Sequence, residues 1–235
     1  MSDKLPLLSP RLSALADLVE PCTCIADIGT DHAYLPVYLC LTGKAEKGIA
    51  SDIRKGPLAR ATDTLCRYHM ENRIETRLGG GAETLSPKEA DCIAIAGMGG
   101  LMIGEILAAH PDVFSTAKQI LLQPMTALPE LRSFLFEHGY TVLREILVPE
   151  ENKLYHILSV TATPESEPLT EAECYFGRCL LIERPPYFDM YIQKQKRKLC
   201  RMAEGLRQAS SEDAALRLKQ VNDLLSFIQK EESQC

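Results

Sequence analysis

Short apolar runs alternate with amphipathic stretches over the first two thirds of the chain. The runs predict strands at Thr23–Gly29, Lys47–Asp52, Ile74–Gly79, Asp91–Gly97 and Lys118–Pro124. Helical spacing falls around and between them, at Ser9–Val19, Tyr34–Leu41, Leu58–Asn72, Leu101–His110 and Leu128–Gly139. Ser9 stands where an N-cap is wanted, with Pro10 in the first helical position. Strands that alternate with helices predict βαβ units and a largely parallel sheet. Tyr140–Pro149 and Lys153–Thr161 are both strand-like. The short polar link Glu150-Glu151-Asn152 makes them an antiparallel hairpin at the sheet edge. Beyond residue 163 no strand pattern remains. Glu173–Glu183 predicts one short helix, Pro185-Pro186 a break, and Tyr187–Ala209 and Glu212–Lys230 a pair of long helices. Two regions are therefore expected, an α/β domain over 1–163 and a helical tail over 164–235.

Composition narrows this picture. With 46% apolar residues in 235, the chain has material for a sizeable core. It contains no apolar run long enough for a membrane span and no signal-peptide pattern, so a cytoplasmic protein is expected. The nine cysteines are scattered, without a C-x-x-C pair, and most lie in apolar stretches. Buried free thiols and no metal site are expected. Residues 1–170 carry a net charge of −7 and the tail beyond carries +1, which together give −6. Within the tail, Lys194, Lys196, Arg197, Lys198 and Arg201 cluster without an intervening acid. They form a charged helix face. Nothing demands a dimer, so a monomer or weak dimer is expected.

The strand ends carry the candidate chemistry, because ligands of doubly wound sheets bind at the carboxyl ends of strands. The first strand runs into Asp27-Ile28-Gly29-Thr30-Asp31-His32. The glycine permits close backbone approach. G-x-G-x-x-G is missing, and the flanking acids would repel a pyrophosphate. Asp27 and Asp31 suit a ligand with a positive end, such as the ammonium and sulfonium of S-adenosylmethionine; a solvated turn is the plainer alternative. Asp52 ends the second strand, where an acid either accepts hydrogen bonds from ribose hydroxyls or caps the next helix. Gly79-Gly80-Gly81 follow the third strand and give a surface on which a flat adenine can lie, or simply a flexible turn. The fourth strand ends in Ala96-Gly97-Met98-Gly99-Gly100, small residues that leave room where a methyl group meets its target. Gln123 brings an amide to the same rim.

These segments occur in order: ADIGTDHAYLP, IASDIRKGPL, RLGGGAETL, IAGMGG and LLQP. Together they resemble the bacterial tRNA (adenine-22-N1)-methyltransferase family, over nearly the whole chain, including KLYHILSV and the tail with its Pro-Pro step. The resemblance implies a class I methyltransferase sheet of seven strands, the last antiparallel. It also implies a coiled-coil-like helical tail that helps to bind tRNA, with S-adenosylmethionine as cofactor. One departure stands out: an acid or amide usually lies between the glycines where this chain has Gly80, which leaves adenine recognition to backbone groups, Asp91 or Glu83.

Methylation of adenine N1 uses an in-plane lone pair and needs no strong base, so His32 is not required as one. Alignment and charge stabilisation are what such an enzyme must supply. Asp31 and Gln123 are the expected catalytic residues, Asp31 orienting the base through its amine or else binding the cofactor's amino end. Tyr34 either stacks on a base or joins the core, and His156 is read as structural or as part of the rim. An adenine must be unpaired or flipped out to enter. Phosphate contacts are expected from Arg11, Arg54, Lys55 and Arg60 and from the tail cluster. A methyltransferase of protein or small molecules, or a catalytically idle cofactor-binding module, are the competing readings.

Overall fold

The structure is a computed structural model that describes residues 5–208 and 211–233. It divides into two compact units that meet between Pro168 and Leu169.

In the first unit seven strands form one sheet: β1 (Cys22–Ile28), β2 (Ala45–Asp52), β3 (Ile74–Leu78), β4 (Cys92–Met98), β5 (Gln119–Pro124), β6 (Thr141–Glu150) and β7 (Lys153–Thr161). Their order is β3-β2-β1-β4-β5-β7-β6. The first five run parallel, whereas β7 is antiparallel to both β5 and β6. Alternation sends Ile25 of β1 to one face and Cys24, Ala26 and Ile28 to the other. The first face is covered by α1 (Pro10–Leu18), α2 (Tyr34–Leu41) and α3 (Lys55–Tyr68), through Leu15, Leu35, Leu39 and Leu65. The second is covered by α4 (Gly100–Ala109), α5 (Pro111–Phe114) and α6 (Leu128–Glu137), through Ile103, Leu107, Phe114 and Leu135. Burial on both faces is why the central strands are almost wholly apolar.

The hairpin turn is tighter than the sequence suggests. Glu150 is still in β6 and pairs with Lys153, so the turn is Glu151-Asn152, with Glu151 left-handed at φ 54°. Because β7 opposes β5, this tip lies at the carboxyl edge of the sheet. Ser9 occupies the N-cap of α1, yet its hydroxyl makes no capping bond; it is buried without a partner. The α3 pattern starts earlier than expected and stops at His69, which is left-handed at φ 56°.

The second unit is helical: α7 (Glu171–Phe176), α8 (Arg178–Glu183), α9 (Phe188–Arg207) and α10 (Glu212–Ser233). The single helix expected over Glu173–Glu183 is two. Gly177, at φ 94°, ends α7, while a reciprocal Thr170/Glu173 capping box starts it. Ala209, the expected last residue of the long helix, lies outside the described residues. Phe176 stacks on Phe227 of α10, with ring centroids 5.7 Å apart.

The cysteines depart from expectation. Cys24, Cys40 and Cys92 are buried, but Cys22, Cys174 and Cys179 are only partly so, and Cys66 and Cys200 are exposed, all as free thiols. Cys235 lies outside the described residues. Among the described residues there is no metal-holding group of His, Cys, Asp or Glu, and no helix is long and apolar enough to cross a membrane.

Candidate active site

The turn from β1 to α2 is stitched to its neighbour. Gly29 N–H and Thr30 N–H both donate to the carbonyl of Ser51, at 2.8 and 2.9 Å. Gly29 is left-handed at φ 80°, and the Met98 side chain occupies the space a Cβ would take there. Ala33, buried and left-handed at φ 54°, donates its N–H to Thr30 Oγ1 at 3.0 Å. A left-handed alanine costs roughly 1–2 kcal/mol, which the surrounding bonds must offset. Asp27 is buried beneath this turn. Desolvation, opposed by a Thr30 hydrogen bond and reinforced by the charge of Asp52, pushes its carboxyl up to about 6.

Asp31 stands outside, its side chain 59% exposed. One oxygen pairs with Arg60 Nη2 from α3, and the other lies 3.4 Å from His32 Nε2. The His32 ring stacks on Tyr34, 5.0 Å away and within 5° of parallel. Two residues assigned separate tasks, Asp31 and Arg60, are thus joined.

Asp52 is buried at the end of β2, where Oδ1 accepts the Arg54 N–H at 2.7 Å and lies 3.3 Å from Arg54 Nε. Gly79 N–H donates to the Asp52 carbonyl at 3.1 Å, tying β3's glycines to β2. Gly80 N–H donates to Glu83 Oε1 at 2.6 Å, so Glu83 holds the glycine turn. A side chain on Gly79 would strike Thr84, and one on Gly80 would meet Ile53 Cδ1 at 3.0 Å; Gly81 is left-handed at φ 92°. Ile53 is 70% exposed. Sequence reasoning missed it, although an apolar residue directly after the strand-end acid was its signal. Asp91 is ruled out as an adenine contact. It precedes β4 at the opposite, amino edge, accepts the N–H groups of Thr23 and Cys24 at 3.0 and 3.1 Å, and pairs with Lys118 at 2.8 Å.

At the end of β4 the glycines divide their tasks. Gly97 is left-handed at φ 77° with open space beside it. Gly100 lets α4 approach the chain after β5, since a Cβ there would lie 2.5 Å from the Ala127 carbonyl oxygen; a Cβ on Gly99 would lie 3.2 Å from Thr126 Oγ1. The room expected from the whole G-M-G-G run is therefore confined to Gly97. Ala96 pairs with Gln123 before the register shifts. Gln123 is buried; it accepts the Gly97 N–H at 3.2 Å and donates to the Pro124 carbonyl at 3.1 Å. Its amide is committed to holding the loop.

Further along this edge, Arg11 of α1 lies with its guanidinium 5.0 Å over the Tyr155 ring and its Nη1 3.9 Å from Met125 sulfur, while its backbone N–H donates to Glu150 Oε2 at 2.9 Å. Lys55 is exposed in the first turn of α3. His156 is structural: Nδ1 lies 2.7 Å from Glu145 Oε1, and the same carboxylate pairs with Arg132. In the second unit, Lys194, Arg197, Lys198 and Arg201 are exposed and fall within about 100° of arc on α9. Lys196 is set apart from them, its Nζ 2.7 Å from Glu232 of α10.

A methyltransferase-domain family matches residues 8–158. The tRNA (adenine(22)-N(1))-methyltransferase of Bacillus subtilis is 37% identical over 155 residues, covering 66% of this chain and 65% of that protein. The crystal structure of the B. subtilis m1A22 tRNA methyltransferase superposes with a TM-score of 0.87 at 30% identity, over 97% of this chain and 99% of that one. The chain belongs to the tRNA (adenine-22-N1)-methyltransferase family. A Streptococcus pneumoniae structure, a putative tRNA (m1A22) methyltransferase in complex with S-adenosyl-L-methionine, superposes at 0.81 with 28% identity, over 93% and 100% of the two chains. The class I methyltransferase sheet and helical tail of this adenine-N1 methyltransferase family member are those the motifs implied.

Proposed function

We propose that the protein transfers a methyl group from S-adenosylmethionine to N1 of adenine 22 in tRNA. The observation that carries this is the carboxyl edge of the sheet. It offers a buried acid under a glycine turn, a second acid at the end of β2, and open space at Gly97, where a Cβ would meet nothing within 4 Å. Asp27, Gly29, Thr30 and His32 would hold the amino-acid end. Asp52 would hold the ribose, and Gly79, Gly80, Gly81 and Ile53 the adenine. Ala96, Gly97, Met98 and Gly99 would border the sulfonium.

When bound, S-adenosylmethionine supplies an electrophilic methyl on a positively charged sulfur. The target nitrogen donates its lone pair, the new N–C bond forms as the S–C bond breaks, and the positive charge passes to the base. Asp31 sits at the mouth, where a carboxylate facing the exocyclic amine orients the base and offsets that charge. Gln123 keeps the Gly97 N–H and loop in register, so approach is in line. Arg11, Arg54, Lys55 and Arg60, with the α9 stripe, supply phosphate contacts. A tRNA substrate places this work in the cytoplasm.

The test is incubation with labelled S-adenosylmethionine and bulk bacterial tRNA, then nucleoside analysis. N1-methyladenosine at position 22 is expected. Methylation of another nucleoside or of protein overturns the substrate; cofactor binding without transfer overturns the activity.

A further inference from the structure

We propose that Arg60 is an exchangeable cover on Asp31, released when an RNA phosphate takes its guanidinium, so that docking of the RNA uncovers the carboxylate that receives the base. This rests on the tRNA reading above and deepens it. Both oxygens of Asp31 are engaged, Oδ1 by Arg60 and Oδ2 at 3.4 Å from His32. The carboxylate has lone pairs to spare, so what these neighbours withhold from an exocyclic amine is charge and room rather than the last acceptor site. His32 is the less free of the two, because its ring stacks on Tyr34 and it adjoins the left-handed Ala33. Arg60 reaches Asp31 from a separate element, α3, and its side chain is 47% exposed.

The Arg60–Asp31 pair is exposed and made through Nη2 alone, whereas the guanidinium turned onto a phosphate has room for two parallel charge-assisted hydrogen bonds. The exchange therefore runs toward the phosphate. Arg54 and Lys55, exposed at the start of α3, lie on the segment that leads to Arg60 and add positive charge there. Before RNA arrives, Arg60 also balances the charge of Asp31, so the mouth does not repel the nucleic acid. Arg60 is thus a positioning residue that couples docking to the state of Asp31.

The test is a double-mutant cycle of tRNA affinity at saturating S-adenosylhomocysteine, using Asp31→Asn, Arg60→Gln and both together. Asp31→Asn should tighten tRNA binding about two- to five-fold while Arg60 is present, because the competing pair is gone. In the Arg60→Gln background the same change should give no tightening, because only the contact with the base is lost. Arg60→Gln alone should weaken binding, lower the salt slope by about one, and raise KM for tRNA with kcat nearly kept. Arg60→Lys should restore most of the affinity. Equal tightening by Asp31→Asn in both backgrounds, which a general field effect would give, overturns the exchange. So does no tightening in either, or a fall in kcat with KM unchanged. Failure of the underlying reading shows separately, as unaltered protein that yields no N1-methyladenosine, and the exchange falls with it.

Discussion

Asp27 carries a charge that depends on its burial. Its carboxyl is pushed up to about 6 from an ordinary 3.8, chiefly by desolvation. Between those values the folded chain holds a proton that the unfolded chain has released, so this group's contribution to stability falls as pH rises through the window. An ammonium ligand responds in the opposite sense, because it needs the carboxylate. S-adenosylmethionine affinity should rise from pH 5 to about 7 and then level; equilibrium dialysis reads it, and Asp27→Asn should flatten the profile. The glycines permit a sharper contrast. Gly100→Ala drives a Cβ to 2.5 Å from a backbone oxygen. It should cost about 3 kcal/mol or more by urea denaturation. Gly97→Ala meets open space and pays only for its left-handed φ, about 1–2 kcal/mol, while methylation falls much further. The motif IAGMGG marked the place, but which glycine is packed tightly and which faces open space depends on residues 126–127, outside the motif. Asp31–Arg60 was illegible for the same reason: its members lie 29 positions apart.

Elements whose two faces are both buried were legible, because continuous apolar runs leave few alternatives to a central strand. The helix ends were less so. Gly177 sits inside an unbroken helical pattern, and only its φ of 94° reveals a terminus. Nor did spacing disclose what holds the β6–β7 hairpin to α6. Arg132 and Glu145 are both buried, with Nε and Oε2 3.1 Å apart, and His156 shares the carboxylate. Burial alone would raise the Glu145 carboxyl; Arg132 and His156 outweigh it and hold it below the ordinary value of 4.5. Its stabilising contribution is therefore present above that value and is lost as pH falls through the depressed one. Glu145→Gln leaves Arg132 facing a neutral partner and should cost about 3–5 kcal/mol, read as a shift in the urea midpoint at pH 7.

At the scale of the molecule, charge is sorted by unit. The sequence cluster of five on α9 resolves into four exposed cations and Lys196, which is tied to Glu232. Neutralising Lys194, Arg197, Lys198 and Arg201 together should weaken tRNA affinity and flatten its dependence on log salt by up to about four charges' worth; Lys196→Gln should leave that slope unchanged. Filter binding across salt concentrations separates the two. The sheet is sorted as well, by edge. Asp91 braces Thr23, Cys24 and Lys118 at the amino edge, while Asp27, Asp31, Asp52 and Gly97 gather at the carboxyl edge. Inheritable damage should divide along the same line. In a saturation library scored once for cellular abundance and once for modified nucleoside, substitutions around Asp91 would deplete both readouts together. Those around Asp31 would leave abundant, silent protein, so the two scores trace the sheet's polarity without a structure.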